Sequence, residues 1–205
     1  MNKKYIFGAS GHAKVIIDIL ISNNIEIEAI IDDAPKTEIL SNIKVLHSKK
    51  FKDSVSDLFI IAIGSNDIRK KIALKNTFNY FNAIHKTAFV SNFASLGLGS
   101  VVMPKAVINS GANIGNHCIV NSGAVVEHDC QIKDFVHISP NATLSGSVKV
   151  DEGTHIGAGS VVIQGIHIGK WATIGAGSTV IDNVPNYAVV VGCPAKIIKY
   201  NNFDK

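Results

Sequence analysis

The segment Glu127-His128-Asp129 sets an imidazole between two carboxylates. A histidine with the ordinary pKa of about 6.5 can take up a proton near neutral pH. A carboxylate beside it stabilises the imidazolium and orients the ring. His128 with Asp129 therefore has the composition of a general base and its orienting acid. A second group of residues suits ligand binding rather than proton transfer. Gly8-Ala9-Ser10-Gly11-His12, Asp32-Asp33 and Gly64-Ser65-Asn66-Asp67 each follow a short apolar run. Glycines there let a ligand approach the backbone, and a helix N-terminus favours anions. The first loop lacks the full G-x-G-x-x-G pattern, so a redox dinucleotide is not supported. A structural tight turn explains Gly8 and Gly11 about as well as a ligand does. Asp32 and Asp33 could equally be strand-end turn residues.

These residues are carried by two kinds of segment. From Val90 to Val180 every sixth residue is Val, Leu or Ile. Two places before each of these the residue is mostly small or β-branched, as at Ala94, Ala106, Cys118, Ala124, Cys130 and Ala142, with Ile166 the bulky exception. A period of six is not helical, since helix faces recur every 3.6 residues. It is a short strand and a turn, repeated. Three such units make one triangular coil, and residues 18 apart then stack on successive coils. The run gives about five coils by that logic. The variety of its outward residues argues against a passive scaffold.

The 18-residue step places Ser110 below His128 and Gly146 above it, and the glycine is expected to leave open space for a substrate. His137 and His155 stack on one outer face. A zinc site needs further, suitably spaced ligands, so no metal is expected. His155 and His167 read as ordinary surface residues, and Cys118 and Cys130 as small core residues. Two Gly-Ala-Gly-Ser segments, 157–160 and 175–178, place small residues over one another.

Residues 1–84 alternate strand and helix signals. Lys4–Phe7, 25–33, Leu58–Ile63 and Tyr80–Ile84 read as strands. Helices follow the first and third, and Ser65 or Asn66 would cap the second helix. The fold class expected is an N-terminal α/β unit with a small Rossmann-like parallel sheet, followed by a left-handed parallel β-helix. The domains would be 1–84 and 85–205, the latter with a C-terminal cap.

The chain has 205 residues, 46% of them hydrophobic and 18% charged, which excludes a disordered chain. A formal charge of +4 with scattered lysines is too weak for a nucleic-acid-binding face. No apolar run is long enough to span a membrane and no signal peptide is visible, so the cytoplasm is the expected location.

YIFGASGHAKVIIDIL, the IDD strand end, IAIGSNDIRKKI, SGAVVEHDC and the terminal VVVGCPAKII resemble, in the same order, the NeuD/PglD-type sugar acyltransferases. The likeness covers nearly the whole chain and is strongest to enzymes that acetylate UDP-linked 4-amino-4,6-dideoxy sugars. It implies an acetyl-CoA-dependent N-acetyltransferase serving surface glycan biosynthesis, working as a homotrimer with active sites between subunits. The resemblance assigns catalysis to His128, with Asp129 where several relatives have glutamate. It assigns the nucleotide sugar to Ser10, Gly11, His12, Asp32, Asp33 and Gly64, and CoA to His137, Ala158 and Ala176. Lys196, in the GCPAK segment expected to end the coil, is a further candidate for the CoA phosphates. Two other readings compete: an O-acetyltransferase acting on sialic acid or another sugar, and a non-catalytic trimeric β-helix scaffold with a ligand-sensing domain.

Overall fold

The computed structural model describes residues 2–201. Its first part is a sheet of strands β1 (Lys4–Phe7), β2 (Ala29–Asp32), β3 (Ile39–Leu40), β4 (Ile43–His47), β5 (Leu58–Ile61) and β6 (Asn79–Tyr80), in the order β3-β4-β2-β1-β5-β6. Every pairing is parallel except β3 with β4. Helix α1 (Gly11–Ser22) follows β1 and helix α2 (Asn66–Lys75) follows β5. The central strands are apolar runs because the sheet is covered on both faces. Ile6, Ile30 and Ile60 pack with α1 on one face, and Tyr5, Phe7, Ile31 and Phe59 form a second cluster.

The strand order reverses between β1 and β5. β1 leads through α1 to β2 on one side, while β5 lies on the other side and leads through α2 to β6. In open parallel sheets such a switch point opens a crevice at the carboxyl ends of the strands. The Gly8–His12 and Gly64–Asp67 segments both leave the sheet there.

Several strand limits differ from the sequence reading. The 25–33 strand is shortened to Ala29–Asp32, because the Ile25 N–H closes the end of α1 on the Leu20 carbonyl. The strand expected over Leu58–Ile63 ends at Ile61. The Tyr80–Ile84 strand divides: Asn79–Tyr80 edges the sheet, while Ala83–Ile84 pairs with Val101–Val102 in the coil. The β3–β4 hairpin was not anticipated. Its Ser41-Asn42 turn has both residues at positive φ, 48° and 64°, as a tight two-residue hairpin requires.

From Ala83 onward the chain is a parallel β-helix of two-residue strands. Register is strict at 18 residues, for example Val107 with Val125 and Val125 with Thr143. The inward aliphatics and the small residues two places before them form one continuous core. Five strands make up the shortest face, matching the expected coil number. After Val180 the period fails, and an antiparallel hairpin, Ala188–Gly192 with Ala195–Tyr200, ends the helix.

The three faces differ in what they show outward. The first carries Ala83, Val101, Ile119, His137, His155 and Thr173. Its apolar part is covered by the α/β unit: Ile16, Ile17 and Leu20 of α1 share a core with Ala83, Val101 and Ile119. The second face shows Phe89, Val107, Val125, Thr143, Val161 and Thr179. It is apolar and partly open, with Phe89 56% and Val161 39% exposed. The third shows Ser95, Asn113, Gln131, Lys149 and His167, a polar row that needs no cover.

Candidate active site

His128 and Asp129 are the two turn residues at the corner between the apolar and the polar face. His128 Nδ1 lies 2.9 Å from Asp129 Oδ2. That hydrogen bond places the Nδ1 proton toward the carboxylate and leaves the Nε2 lone pair as the basic site. The two side chains are 62% and 66% exposed in the single chain. Asp129 has φ of 62°, and its N–H donates to the Ser110 carbonyl of the neighbouring coil.

Two glycines seat this pair. A Cβ at Gly146 would stand 2.6 Å from both Cε1 and Nε2 of His128. The space expected above the histidine for a substrate is therefore occupied by the imidazole itself, which folds over the next coil. A Cβ at Gly111, on the preceding coil, would collide with Asp129 Oδ1. Gly111 was missed in the sequence although it lies 18 residues before Asp129. Gly146 is not in the left-handed region, and the atoms in conflict belong to a mobile ring, so alanine there should fold normally. Gly146→Ala is expected to change the melting temperature by no more than a few degrees and, with His128 as the expected general base, to lower turnover by about 10-fold to 100-fold by displacing the imidazole. Steady-state kinetics beside a thermal melt would check it.

Cys130, next in the chain, has its thiol pushed up to about 11, chiefly by burial, and its Sγ faces the Ser145 carbonyl. Cys118 is pushed up to about 12, again chiefly by burial. Both are core thiols rather than nucleophiles.

The second group gathers on the other side of the molecule. Ser10 occupies the N-cap position of α1 without a side-chain cap bond, leaving the N–H groups of the first turn toward the crevice. Ser65 does the same for α2, so the expected hydroxyl or amide cap is not formed there. Asn66 is instead the first helical residue, and its amide reaches across to the β-helix. Asp32 braces the loop: Oδ2 accepts from Ala9 N–H at 2.7 Å and Oδ1 from Ala34 N–H at 2.8 Å. Asp33 accepts from Ser48 Oγ at 2.5 Å. Nothing stands within 4 Å of where side chains would begin at Gly11 and Gly64.

His12 and His137 meet at this crevice, beside Gly64. Burial, then the Arg69 guanidinium, pushes His12 down to about 4. Burial, with His155, Arg69 and His12, pushes His137 down to about 3. The Gly64 backbone acts in the opposite sense on His137, yet His137 Nδ1 makes no hydrogen bond of ordinary geometry, nor does His12 Nε2. The His137 and His155 rings stand edge to face, 4.8 Å apart. His137 Nε2 meets Asn121 and His155 Nε2 meets Ser139. A cavity of about 490 Å³ continues from Gly64 between the start of α2 and His155, Trp171 and Thr173. Among the described residues no group of three or more His, Cys, Asp or Glu converges as a metal site.

The neutral histidines of this junction make its stability pH-dependent. His12, His117, His137 and His155 are all held below the ordinary value of 6.5, burial being the first cause in each. Unfolding then takes up protons below pH 6.5, so stability is fully present above that pH and is lost as the pH falls toward 4. The melting temperature should decline across that window. His117→Phe, which keeps the stack on Phe135, should decline less steeply.

Ala158 and Ala176 are turn residues on the third corner, between the covered and the apolar face. Beside them, Gly159 and Gly177 have no atom within 4 Å of a Cβ position, so this corner is an open, side-chain-poor strip. The structure thus brings together Ser10–His12, Gly64 and His137. It does not bring His128 to them within one chain: the full width of the apolar face lies between the His128 corner and the Ala158–Ala176 corner. Lys196 lies in the terminal hairpin, away from the His128 corner.

Residues 3–75 match the family described as PglD N-terminal domain, and residues 111–146 and 129–164 match bacterial transferase hexapeptide (six repeats). The fold is shared with a histidine-to-asparagine variant of perosamine N-acetyltransferase from Caulobacter crescentus, solved in complex with CoA and GDP-perosamine. The TM-score is 0.90 at 34% identity, over 97% of this chain and 98% of that one. The acetyltransferase domain of PglB from Neisseria gonorrhoeae, in complex with acetyl coenzyme A, gives a TM-score of 0.89 at 33% identity, over 97% and 100%. UDP-N-acetylbacillosamine N-acetyltransferase of Bacillus subtilis is 41% identical over 114 residues, 50% of this chain and 52% of that enzyme. The matched portion thus spans about half the length of that relative.

Proposed function

Because the chain belongs to the PglD/NeuD-type family of hexapeptide-repeat sugar N-acetyltransferases, with its left-handed β-helix, we propose that it transfers the acetyl group of acetyl-CoA to the amine of a nucleotide-linked amino sugar. The observation that carries this reading is the His128–Asp129 pair, seated between Gly111 and Gly146 with Nε2 free. The substrate favoured is a UDP-linked 4-amino-4,6-dideoxy sugar destined for surface glycans, and the reaction is placed in the cytoplasm. None of the described helices is long and apolar enough to cross a membrane.

In this reading residues 1–84 hold the nucleotide sugar and residues 85–205 carry the transfer. The diphosphate meets the N–H groups at Ser10, Gly11 and His12 and at Gly64, with Asp32 and Asp33 shaping the loop. The pantetheine arm runs along the Ala158–Ala176 strip, where open glycine positions leave room for it, with His137 beside it. The sugar amine attacks the thioester carbonyl, forming the C–N bond. His128 Nε2 takes the proton released by the nitrogen, and Asp129 stabilises the imidazolium. The C–S bond breaks, and the proton passes to the departing CoA sulfur.

One chain cannot assemble this site, since His128 and the acetyl-CoA strip occupy different corners. We assign the apolar face as the contact of a homotrimer, in which the His128 corner of one subunit meets the crevice and strip of its neighbour. A head-to-tail contact between the two different edges of that face, closed by threefold rotation, would place one such site at each interface. The nature of the product tests the acceptor. An acetylated nucleotide sugar resistant to hydroxylamine, as an amide is, is expected; a hydroxylamine-labile ester would identify an oxygen acceptor instead.

A further inference from the structure

Arg69 is 1% exposed and sits where the α/β unit meets the β-helix. Among the described residues no carboxylate is a hydrogen-bond partner of it. Its N–H groups all go to neutral acceptors: Nε to the His117 carbonyl at 2.8 Å, Nη1 to the Ile63 and Gly64 carbonyls at 2.9 and 3.2 Å, and Nη2 to Asn66 Oδ1 at 2.8 Å and the Phe135 carbonyl at 2.9 Å. Keeping a charge buried without a counterion is costly, and stability alone is served as well by an apolar side chain. The geometry of the five bonds shows what the guanidinium does here. Two bonds hold the loop that follows β5. Two hold successive corners of the β-helix, at His117 and Phe135. The fifth holds Asn66, whose Nδ2 donates onward to the Gly153 and Thr154 carbonyls on the next corner. One planar fork thus joins the Gly64 loop to three consecutive coils, two residues ahead of His137.

We infer that Arg69 is a positioning residue for acyl transfer: it fixes the height of the Gly64 loop along the β-helix axis, and so the height at which the bound sugar is presented to the acetyl donor. This rests on the function proposed above. Arg69 itself is buried beneath the loop rather than facing the crevice. Nucleotide affinity should therefore survive its loss better than turnover does. Lysine retains the charge but has three donors on a single point, so it can serve only part of the five-acceptor set.

The test uses the full-length Arg69→Lys protein, with Arg69→Met as a second variant, against wild type. UDP and GDP binding by calorimetry and KM for acetyl-CoA should stay within about threefold, while kcat per folded molecule falls about 10-fold to 100-fold. A role in stability alone would lower the melting temperature and leave kcat unchanged, which would overturn the inference. Weakened nucleotide binding at unchanged kcat would overturn it as well. Amide hydrogen exchange reads the clamp without turnover. In Arg69→Lys, exchange should quicken in both the 63–66 loop and the corners at 117–119 and 135–137. Unchanged exchange on either side overturns the clamp. Quickened exchange in Arg69→Lys beside a wild type that transfers no acetyl group would sink the proposed activity and leave the clamp standing. If Arg69→Met does not fold, Arg69→Lys decides alone.

Discussion

Val161→Asp is expected to turn the proposed trimer into single chains and to abolish acetyl transfer, with His128 untouched. Val161 points outward on the apolar face and is 39% exposed in one chain, so an aspartate there remains hydrated in the separated subunit. Packed against a neighbour, the same carboxylate loses its water without gaining a partner. Uncompensated burial of a charge costs several kcal/mol per ion, and rotational symmetry repeats that cost in every interface. Its neighbours along the face, Thr143 and Thr179, offer no cation. The inward core of the β-helix does not involve this side chain, so the melt of the single chain should remain cooperative. Sedimentation would show the change in mass, and thiol release from acetyl-CoA the loss of turnover. Full activity in a monomeric Val161→Asp protein would contradict a site shared between subunits.

His128→Ala removes the proposed proton acceptor and should lower kcat by about 10²-fold to 10⁴-fold, the usual contribution of a positioned general base. KM for acetyl-CoA should change little, because the proposed role of His128 is proton transfer at the reacting amine, while the Ala158–Ala176 strip is proposed to carry the pantetheine arm. The fold should be unaffected, since the ring is 62% exposed and its one side-chain partner is the equally exposed Asp129. An effect confined to KM would move the residue from chemistry to binding. Asp129→Asn keeps the shape of the pair and removes its charge. Its loss should be smaller than that of His128→Ala, because orientation is retained in part.

Much of this arrangement is legible in the sequence because a β-helix writes its geometry as a period. The inward aliphatics from Val90 to Val180 give the coil directly, and a step of 18 gives each residue's neighbours. That step found Gly146 above His128 and would have found Gly111 below Asp129. It could not tell that the imidazole bends back over its own neighbour coil, because a period reports positions and not side-chain direction. The edge of the α/β unit was harder. Tyr80 and Ala83 lie in one short apolar stretch, yet they belong to different sheets. Arg69 carried no signal at all. Its partners are mostly backbone carbonyls, which every residue type supplies equally. The same step of 18 puts His128 and the Ala158–Ala176 strip at different corners, because their separations are not multiples of 18.

The most direct measurement is thiol release from acetyl-CoA by the purified protein, offered UDP-, GDP- and dTDP-linked 4-amino-6-deoxy sugars in turn, with His128→Ala alongside. The account predicts turnover on one nucleotide series, strongest for the UDP sugar, and its near-complete loss in the variant. Turnover that survives in His128→Ala, or silence on every amino sugar by a protein that still binds acetyl-CoA, would contradict it.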